Sequence, residues 1–144
     1  MLLESESETK EETIREMIDA FYVEGRTDNP DGLEEAIWAR EAVYSTGLGY
    51  GFAIPHAKTA AVNASSIGVL KLKNPVEWGS LDDKPVSMVI LLAARESDPG
   101  SAQMQVFSRL ARKLMDEDFR SQMLRARDPG GLVTFFAEEL EVKV

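Results

Sequence analysis

The stretch from Val86 to Ala94 is apolar at every position except Ser87. A run of this kind, rich in Val, Ile and Leu, is typical of a strand that is covered on both faces of its sheet. Its longest uninterrupted part, Met88 to Ala94, is far shorter than the roughly 20 apolar residues that a membrane span requires. We therefore expect a buried central strand and no membrane-embedded segment.

Two helical patterns precede this strand. A T-x-x-E capping box at residues 9–12 predicts the start of the first helix, and Gly25 can end it. Asn29-Pro30 predicts an N-cap and a first-turn proline for the second helix, which we expect to end near Ser45-Thr46. The apolar positions at helical spacing are Ile14, Met17, Ile18 and Phe21 in the first helix and Leu33, Ile37 and Tyr44 in the second.

The middle of the chain changes to the pattern of strands, and helical spacing returns after the central strand. We predict strands at Phe52–Ile54 and Ser66–Lys73, and a short strand or turn at Val76–Trp78. The apolar positions of the three later helices are Met104, Phe107, Ala111 and Leu114; then Phe119, Met123 and Leu124 after a cap at Asp116; then Leu132, Val133, Phe136 and Leu140 after Asp128-Pro129. Helices before and after a block of strands predict an α/β fold, a three-layer α/β/α sandwich with a mixed central sheet, formed by residues 1–144 as a single domain.

The composition limits the classes of function. A formal net charge of −9 would repel nucleic-acid phosphates, so no nucleic-acid partner is expected, whereas a basic protein partner would suit this surface. The chain has no cysteine, which excludes disulfides, a thiolate nucleophile and thiolate metal ligands. The N-terminus lacks the basic and apolar regions of a secretory signal. We expect a soluble cytoplasmic protein.

The most unusual segment is the glycine-rich stretch that leads to His56. Glycines at 47, 49 and 51 make a poor helix and a poor strand, and they allow positive φ or close packing, so we expect a functional loop. Pro55 fixes its own φ and favours an extended conformation at Ile54. His56 should therefore leave the end of a short strand in a constrained direction.

Several familiar motifs do not fit this segment. The glycine spacing does not satisfy G-x-G-x-x-G, and no G-K-[ST] follows, so neither a dinucleotide-binding fingerprint nor a P-loop is predicted. The residues for Ser-His-Asp hydrolysis exist, but there is no G-x-S-x-G elbow. With one histidine and no cysteine, a metal site is weakly supported, and we expect no cofactor.

A neutral imidazole is a competent nucleophile toward phosphorus, and the ordinary histidine pKa of about 6.5 already provides one near neutral pH. Arg40 could bind phosphoryl oxygens by forked hydrogen bonds. The Ser45 and Thr46 hydroxyls could add donors. Residue chemistry alone leaves plainer interpretations open: a surface or core histidine, a solvated pair at Arg40-Glu41, and a tight glycine connection.

The segment resembles the active-site signature of the fructose/mannitol-type enzyme IIA domains of the sugar phosphotransferase system, a family that is related to the nitrogen-regulatory IIA proteins. The matching residues are Arg40-Glu41, Ser45-Thr46, the glycines at 47, 49 and 51, and Ala53-Ile54-Pro55-His56. The resemblance implies that His56 accepts phosphate from the histidine-containing carrier protein HPr and passes it to a cysteine of enzyme IIB. It implies that Arg40 steadies the phosphoryl group, and a fold of a mixed sheet flanked by helices.

One position departs from that family. Gln103 stands where the family usually has a second histidine, at the start of the helix after the central strand. Glutamine can donate a hydrogen bond to a phosphoryl oxygen or to the His56 ring, but it cannot carry positive charge or relay a proton. Slower transfer, a changed pKa of His56, a regulatory role and a tolerated substitution are the consequences that this leaves open.

Three functions follow as hypotheses. The first is a phosphocarrier for sugar uptake, a phosphotransferase with a phosphohistidine intermediate that could act at a membrane-bound permease. The second is a regulatory phospho-switch of the nitrogen type, which acts by protein binding. The third is a degenerate interaction module that no longer takes phosphate. His56 and Arg40 are both present, which favours the first two.

Overall fold

A computed structural model describes the backbone of residues 2–43, 45–97, 100–126 and 128–140, and their side chains except those of 2–4 and 100–104. The chain divides into two compact units, Leu2–Ser97 and 98–144. The described residues of the first unit form a mixed sheet of six strands and two helices. Those of the second unit form three helices. The predicted α/β class with a mixed sheet is confirmed.

The elements of the first unit are, in chain order, β1 (Leu2–Ser5), α1 (Lys10–Val23), α2 (Pro30–Glu41), β2 (Gly47–Gly49), β3 (Phe52–Ala53), β4 (His56–Thr59), β5 (Ser66–Val76) and β6 (Val86–Arg95). The sheet order is β1-β5-β6-β3-β2, and β4 also pairs with β6. β6 runs antiparallel to β5 and parallel to β3 and β4. β6 is therefore the central strand, since it forms backbone hydrogen bonds with three other strands.

The burial of β6 confirms the expectation of a strand covered on both faces. Val89 and Leu91 pack into the main core, and Met88 and Ile90, which point to the opposite face, are equally inaccessible to solvent. α1 and α2 contribute the helical side of the main core through residues that the sequence periodicity had predicted: Ile14, Met17, Ile18 and Phe21 from α1, and Leu33 and Ile37 from α2. Tyr44 lies outside the described residues.

Both predicted helix starts in this unit are confirmed. The Thr9 side chain caps α1 by accepting the amide of Glu12 at 3.1 Å. The Asn29 side chain caps α2 by accepting the amide of Gly32 at 3.1 Å, with Pro30 in the first turn. Each cap satisfies an amide that the helix leaves without an internal partner.

Three local predictions were wrong or incomplete, and one strand was not predicted. α2 ends at Glu41 rather than near Ser45-Thr46, because the Thr46 amide donates to the Glu41 carboxylate instead of to a helical carbonyl. The expected glycine loop is partly a hairpin of β2 and β3. β5 continues to Val76 through a register shift after Lys71, where Pro75 cannot donate to a regular ladder. β1 was missed because its short sequence, LLES, carries too few residues to show a period.

The second unit contains α3 (Gly100–Lys113), α4 (Glu117–Arg125) and α5 (Pro129–Leu140). The predicted cap at Asp116 is confirmed, since its side chain accepts the amide of Asp118. Lys113 and Glu139 form an ion pair at 2.6 Å between α3 and α5. Most of the predicted apolar positions are buried, namely Leu114, Phe119, Met123, Leu132, Phe136 and Leu140, as is Leu110; the Met104 side chain lies outside the described residues.

Truncation of β6 should destabilise the protein strongly. Leu91 is fully buried, so Leu91→Ala removes apolar contacts and leaves a cavity, which typically costs about 2–5 kcal/mol. Leu81 is 76% exposed, so the matched control Leu81→Ala should change the free energy of unfolding by less than about 0.5 kcal/mol. Urea denaturation followed by circular dichroism measures both, and equal effects would contradict the assigned core.

Candidate functional site

His56 is the first residue of β4, and it pairs with Leu92 of the central strand β6. The short strand β3 ends at Ala53, and Ile54-Pro55 connects it to β4. The constrained direction predicted for His56 thus arises at the start of a strand rather than at the end of one. The side chain is half-buried.

Both ring nitrogens of His56 have partners. Nδ1 lies 2.8 Å from the carbonyl oxygen of Ile54, and Nε2 lies 3.1 Å from Nε of Arg40 on α2. A carbonyl oxygen only accepts and a guanidinium only donates. Nδ1 must therefore carry the proton, and Nε2 must present its lone pair. This is the neutral tautomer that a nucleophilic imidazole requires.

The surroundings also keep the ring neutral near physiological pH. Burial lowers the pKa of His56 most, the Ile54 carbonyl raises this pKa, the Arg40 charge lowers it, and the Glu41 charge raises it. The net result is a pKa below the ordinary histidine value. Desolvation and a neighbouring cation both penalise the imidazolium, so Nε2 stays unprotonated.

Glu41, the neighbour of Arg40, is buried rather than solvated, which corrects the plain interpretation of Arg40-Glu41 as a surface pair. Its side chain is only 2% exposed. The carboxylate bonds Nζ of Lys10 at 2.7 Å, the amide of Thr46 at 3.3 Å and the Thr46 hydroxyl. A buried carboxylate needs a paired charge and donors of this kind.

Lys10 enters this cluster from α1, and sequence reasoning missed its role. Its ammonium lies 5.8 Å from the ring centroid of Trp38 and 5.3 Å from that of Trp78, which is within cation–π range. The indole Nε1–H of Trp78 donates to the Thr46 hydroxyl at 3.3 Å. The only available signal was the helix-start motif around Lys10, which predicts a cap and says nothing of a contact 31 residues away.

The predicted phosphoryl-binding hydroxyls lie at the start of the glycine hairpin. The Ser45 hydroxyl donates to the carbonyl of Trp78 and accepts the amide of Gly47, each at 3.1 Å. The Thr46 side chain is buried against Glu41 and Trp78. In this arrangement both hydroxyls hold the hairpin, and their contact with a phosphoryl group stays a prediction. The Gln103 side chain lies outside the described residues.

The hairpin itself explains two of the glycines. At Gly47 an added Cβ would overlap the Ser80 hydroxyl and lie 2.9 Å from the Ser80 Cα. Gly49 has a φ of +100°, which disfavours other residues. At the tip, the Asp82 carboxylate accepts the amide of Tyr50 at 3.1 Å. The amides of Lys84 and Tyr50 hold the pKa of Asp82 below its ordinary value.

The described residues include no group of three or more His, Asp or Glu side chains that could hold a metal ion. No helix in the described ranges has both the length and the apolar content to cross a bilayer. What the structure brings together is a neutral imidazole, a guanidinium and a buried, compensated carboxylate.

A nuclear magnetic resonance titration tests the assigned tautomer directly, because His56 is the only histidine. We expect a midpoint below about 6.5 and, above that pH, a proton on Nδ1. Arg40→Gln should raise the midpoint, since it removes a cation that lowers the pKa of His56. A proton on Nε2 in the neutral ring would contradict the assignment.

The same shift predicts the direction of a stability change. Because the pKa of His56 is lowered in the folded state, the unfolded chain binds more protons between that pKa and about 6.5. The stability that neutral His56 contributes is therefore present above about pH 6.5 and is lost as the pH falls through the folded pKa. His56→Gln should remove this part of the pH dependence in denaturation experiments.

The chain is similar to known proteins in both sequence and structure. Residues 1–139 match the family described as "Phosphoenolpyruvate-dependent sugar phosphotransferase system, EIIA 2". The chain is 41% identical to multiphosphoryl transfer protein 2 of Escherichia coli over 140 residues. These residues are 97% of this chain and 16% of that protein. The chain thus spans about a sixth of the length of that relative.

Two further relatives match over most of their own length. The fructose-specific EIIA component of Haloferax volcanii is 32% identical over 139 residues, which cover 96% of this chain and 90% of that protein. The crystal structure of nitrogen regulatory protein IIA-Ntr from Neisseria meningitidis superposes with a TM-score of 0.86 at 26% identity, covering 94% of this chain and 91% of that one. By sequence and by fold, the chain belongs to the EIIA 2 family of the phosphoenolpyruvate-dependent sugar phosphotransferase system.

Proposed function

We propose that this chain is a phosphocarrier that accepts a phosphoryl group on Nε2 of His56 and passes it to another protein. The observation that carries the proposal is the pair of bonds on the ring, with Ile54 on Nδ1 and Arg40 on Nε2. These bonds leave one nitrogen with a lone pair and place a guanidinium beside it. That arrangement suits phosphoryl transfer, in which positioning and charge stabilisation do most of the catalysis.

In the proposed reaction, the Nε2 lone pair attacks the phosphorus of a phosphohistidine on the donor. The new N–P bond forms at Nε2 while the N–P bond of the donor breaks, and the electron pair of that bond stays on the donor nitrogen. The His56 ring then carries a positive charge with the proton still on Nδ1. The Ile54 carbonyl, 2.8 Å from Nδ1, stabilises that charge without taking the proton.

Arg40 has two successive roles in this scheme. Before transfer, its Nε–H occupies the Nε2 lone pair at 3.1 Å. During transfer that bond must be exchanged for hydrogen bonds to the phosphoryl oxygens, which a guanidinium can bind in a fork. Loss of the charge would leave the transferring group without this stabilisation, which is worth about 1.5–3 kcal/mol for a hydrogen bond to a charged group.

The proposed donor is HPr and the proposed recipient is an enzyme IIB, as the family resemblance implies. The similarity to the fructose-specific component of Haloferax volcanii supports a role in sugar uptake. The proposed place of action of this chain is the cytoplasm, with residues 1–144 as a single domain. The superposition on a nitrogen regulatory protein favours a second candidate, in which phosphorylated His56 controls binding to a regulatory target. The two candidates share the same first step.

Incubation with phosphoenolpyruvate, enzyme I and HPr should add one acid-labile phosphate, measured by intact mass. His56→Ala should abolish the gain, and Arg40→Met should slow it about 10- to 100-fold, the equivalent of the charged hydrogen bond that it removes. Arg15→Met is the matched control, because Arg15 is 73% exposed and pairs with Glu34 at the surface. It should react at the rate of the unaltered protein.

Two outcomes would decide against parts of the proposal. Failure of active HPr to phosphorylate the unaltered chain would overturn both candidate functions. Addition of enzyme IIB to the phosphorylated protein separates them, since prompt loss of phosphate supports transport and persistence of the phosphate supports regulation.

A further inference from the structure

Lys10, which is distant from His56 in the sequence, places a positive charge close to the helix end that carries Arg40 and Glu41. Lys10 is the first residue of α1, whereas Arg40 and Glu41 are the last two residues of α2 and His56 begins β4. The Lys10 ammonium reaches the Glu41 carboxylate at 2.7 Å, and Arg40 reaches His56 at 3.1 Å. Two consecutive residues of one helix thus carry a pair of opposite charges, of which one faces Lys10 and the other faces the acceptor nitrogen.

The ion pair of Lys10 and Glu41 is largely buried, so water screens its charges less than it screens charges at the surface. The side chains of Lys10 and Glu41 are 19% and 2% exposed. Trp78, which is 3% exposed, and the partly buried Trp38 lie within cation–π range of the ammonium and cover part of it. Solvent therefore cannot screen Glu41 effectively if its cation is lost.

Glu41 acts on the acceptor in two ways. Through Thr46 it fixes the start of the glycine hairpin, since it accepts both the Thr46 amide and the Thr46 hydroxyl. Its negative charge also reaches His56 and favours the imidazolium. Without the Lys10 cation, the Glu41 carboxylate would attract the guanidinium of its neighbour Arg40 away from His56. It would also repel an incoming phosphoryl group.

We propose that Lys10 is a positioning residue for phosphoryl transfer, which neutralises buried Glu41 so that Arg40 remains available to His56 and to the phosphoryl group. The inference rests on the proposed function, but half of its test does not require phosphorylation. Among the contacts that the structure describes, the charged groups that face one another here are Lys10 from α1, Arg40 and Glu41 from α2, and His56 from β4.

A double-mutant cycle tests whether Lys10 acts through Glu41. The proteins are the unaltered chain, Lys10→Met, Glu41→Gln and the double variant, each shown to be folded by circular dichroism. The first readout is the titration midpoint of the single histidine by nuclear magnetic resonance. We expect Lys10→Met to raise it by about half a pH unit or more when Glu41 is present, and to leave it unchanged in the Glu41→Gln background.

The second readout is the rate of phosphate uptake from phosphorylated HPr, corrected for the folded fraction. Lys10→Met should slow uptake about tenfold or more, as expected when a like charge faces the incoming group, and Glu41→Gln should restore most of that loss in the double variant. Lys10→Arg keeps the charge and can stack on indole rings, so it should resemble the unaltered protein.

The exposed pair of Lys73 and Glu6, 3.9 Å apart with side chains 60% and 85% exposed, provides the matched control cycle. Neither Lys73→Met nor Glu6→Gln should move the histidine midpoint or the uptake rate. If Lys10→Met does not fold, Lys10→Arg and the double variant still decide, because the inference requires both to keep most of the uptake rate.

The inference is overturned if folded Lys10→Met keeps the midpoint and the rate of the unaltered protein, or if its effects are the same with and without Glu41. A purely structural role would lower the melting temperature and leave the folded fraction with unchanged titration and uptake. Absence of uptake by the unaltered chain would instead count against the proposed function, and the titration cycle would still test the link from Lys10 to His56.

Discussion

The hydrogen bond between Nδ1 of His56 and the carbonyl of Ile54, 2.8 Å long, is the contact on which the rest of the site depends. It is made within two residues of the chain, across Pro55, whose ring limits the local backbone. Because this bond places the proton on Nδ1, the lone pair lies on Nε2, where Arg40 meets it. A local backbone constraint thereby decides which atom of the only histidine is chemically available.

The tertiary structure then supplies what a local contact cannot. β4 is held by the central strand β6, so the position of His56 depends on the most buried strand of the sheet. α2 presents Arg40 to the ring from one of its last two residues and turns Glu41 inward from the other. Lys10 on α1 meets that carboxylate between two indole rings. The packing of α1 against α2 therefore also places these charges around His56.

Much of this could be predicted from the sequence. The apolar stretch at Val86–Ala94, the caps at Thr9 and Asn29, and the pattern Arg40 to His56 each depend on neighbours in the chain, so they were visible in it. The end of α2, the strand within the glycine segment and the burial of Glu41 were not. The end of α2 follows from a side-chain bond between Glu41 and Thr46, and the burial of Glu41 involves Lys10 on another helix. β3 is held in the sheet by the distant strand β6. No local period records such contacts.

We propose Nε2 of His56 as the acceptor atom. A ¹⁵N-edited nuclear magnetic resonance spectrum of the protein after phosphorylation by HPr identifies that atom, because phosphate on either ring nitrogen gives a distinct pattern of ring couplings. We expect phosphate on Nε2 with the proton retained on Nδ1. Phosphate on Nδ1, or a phosphorylated protein whose His56 ring is unchanged, would contradict it.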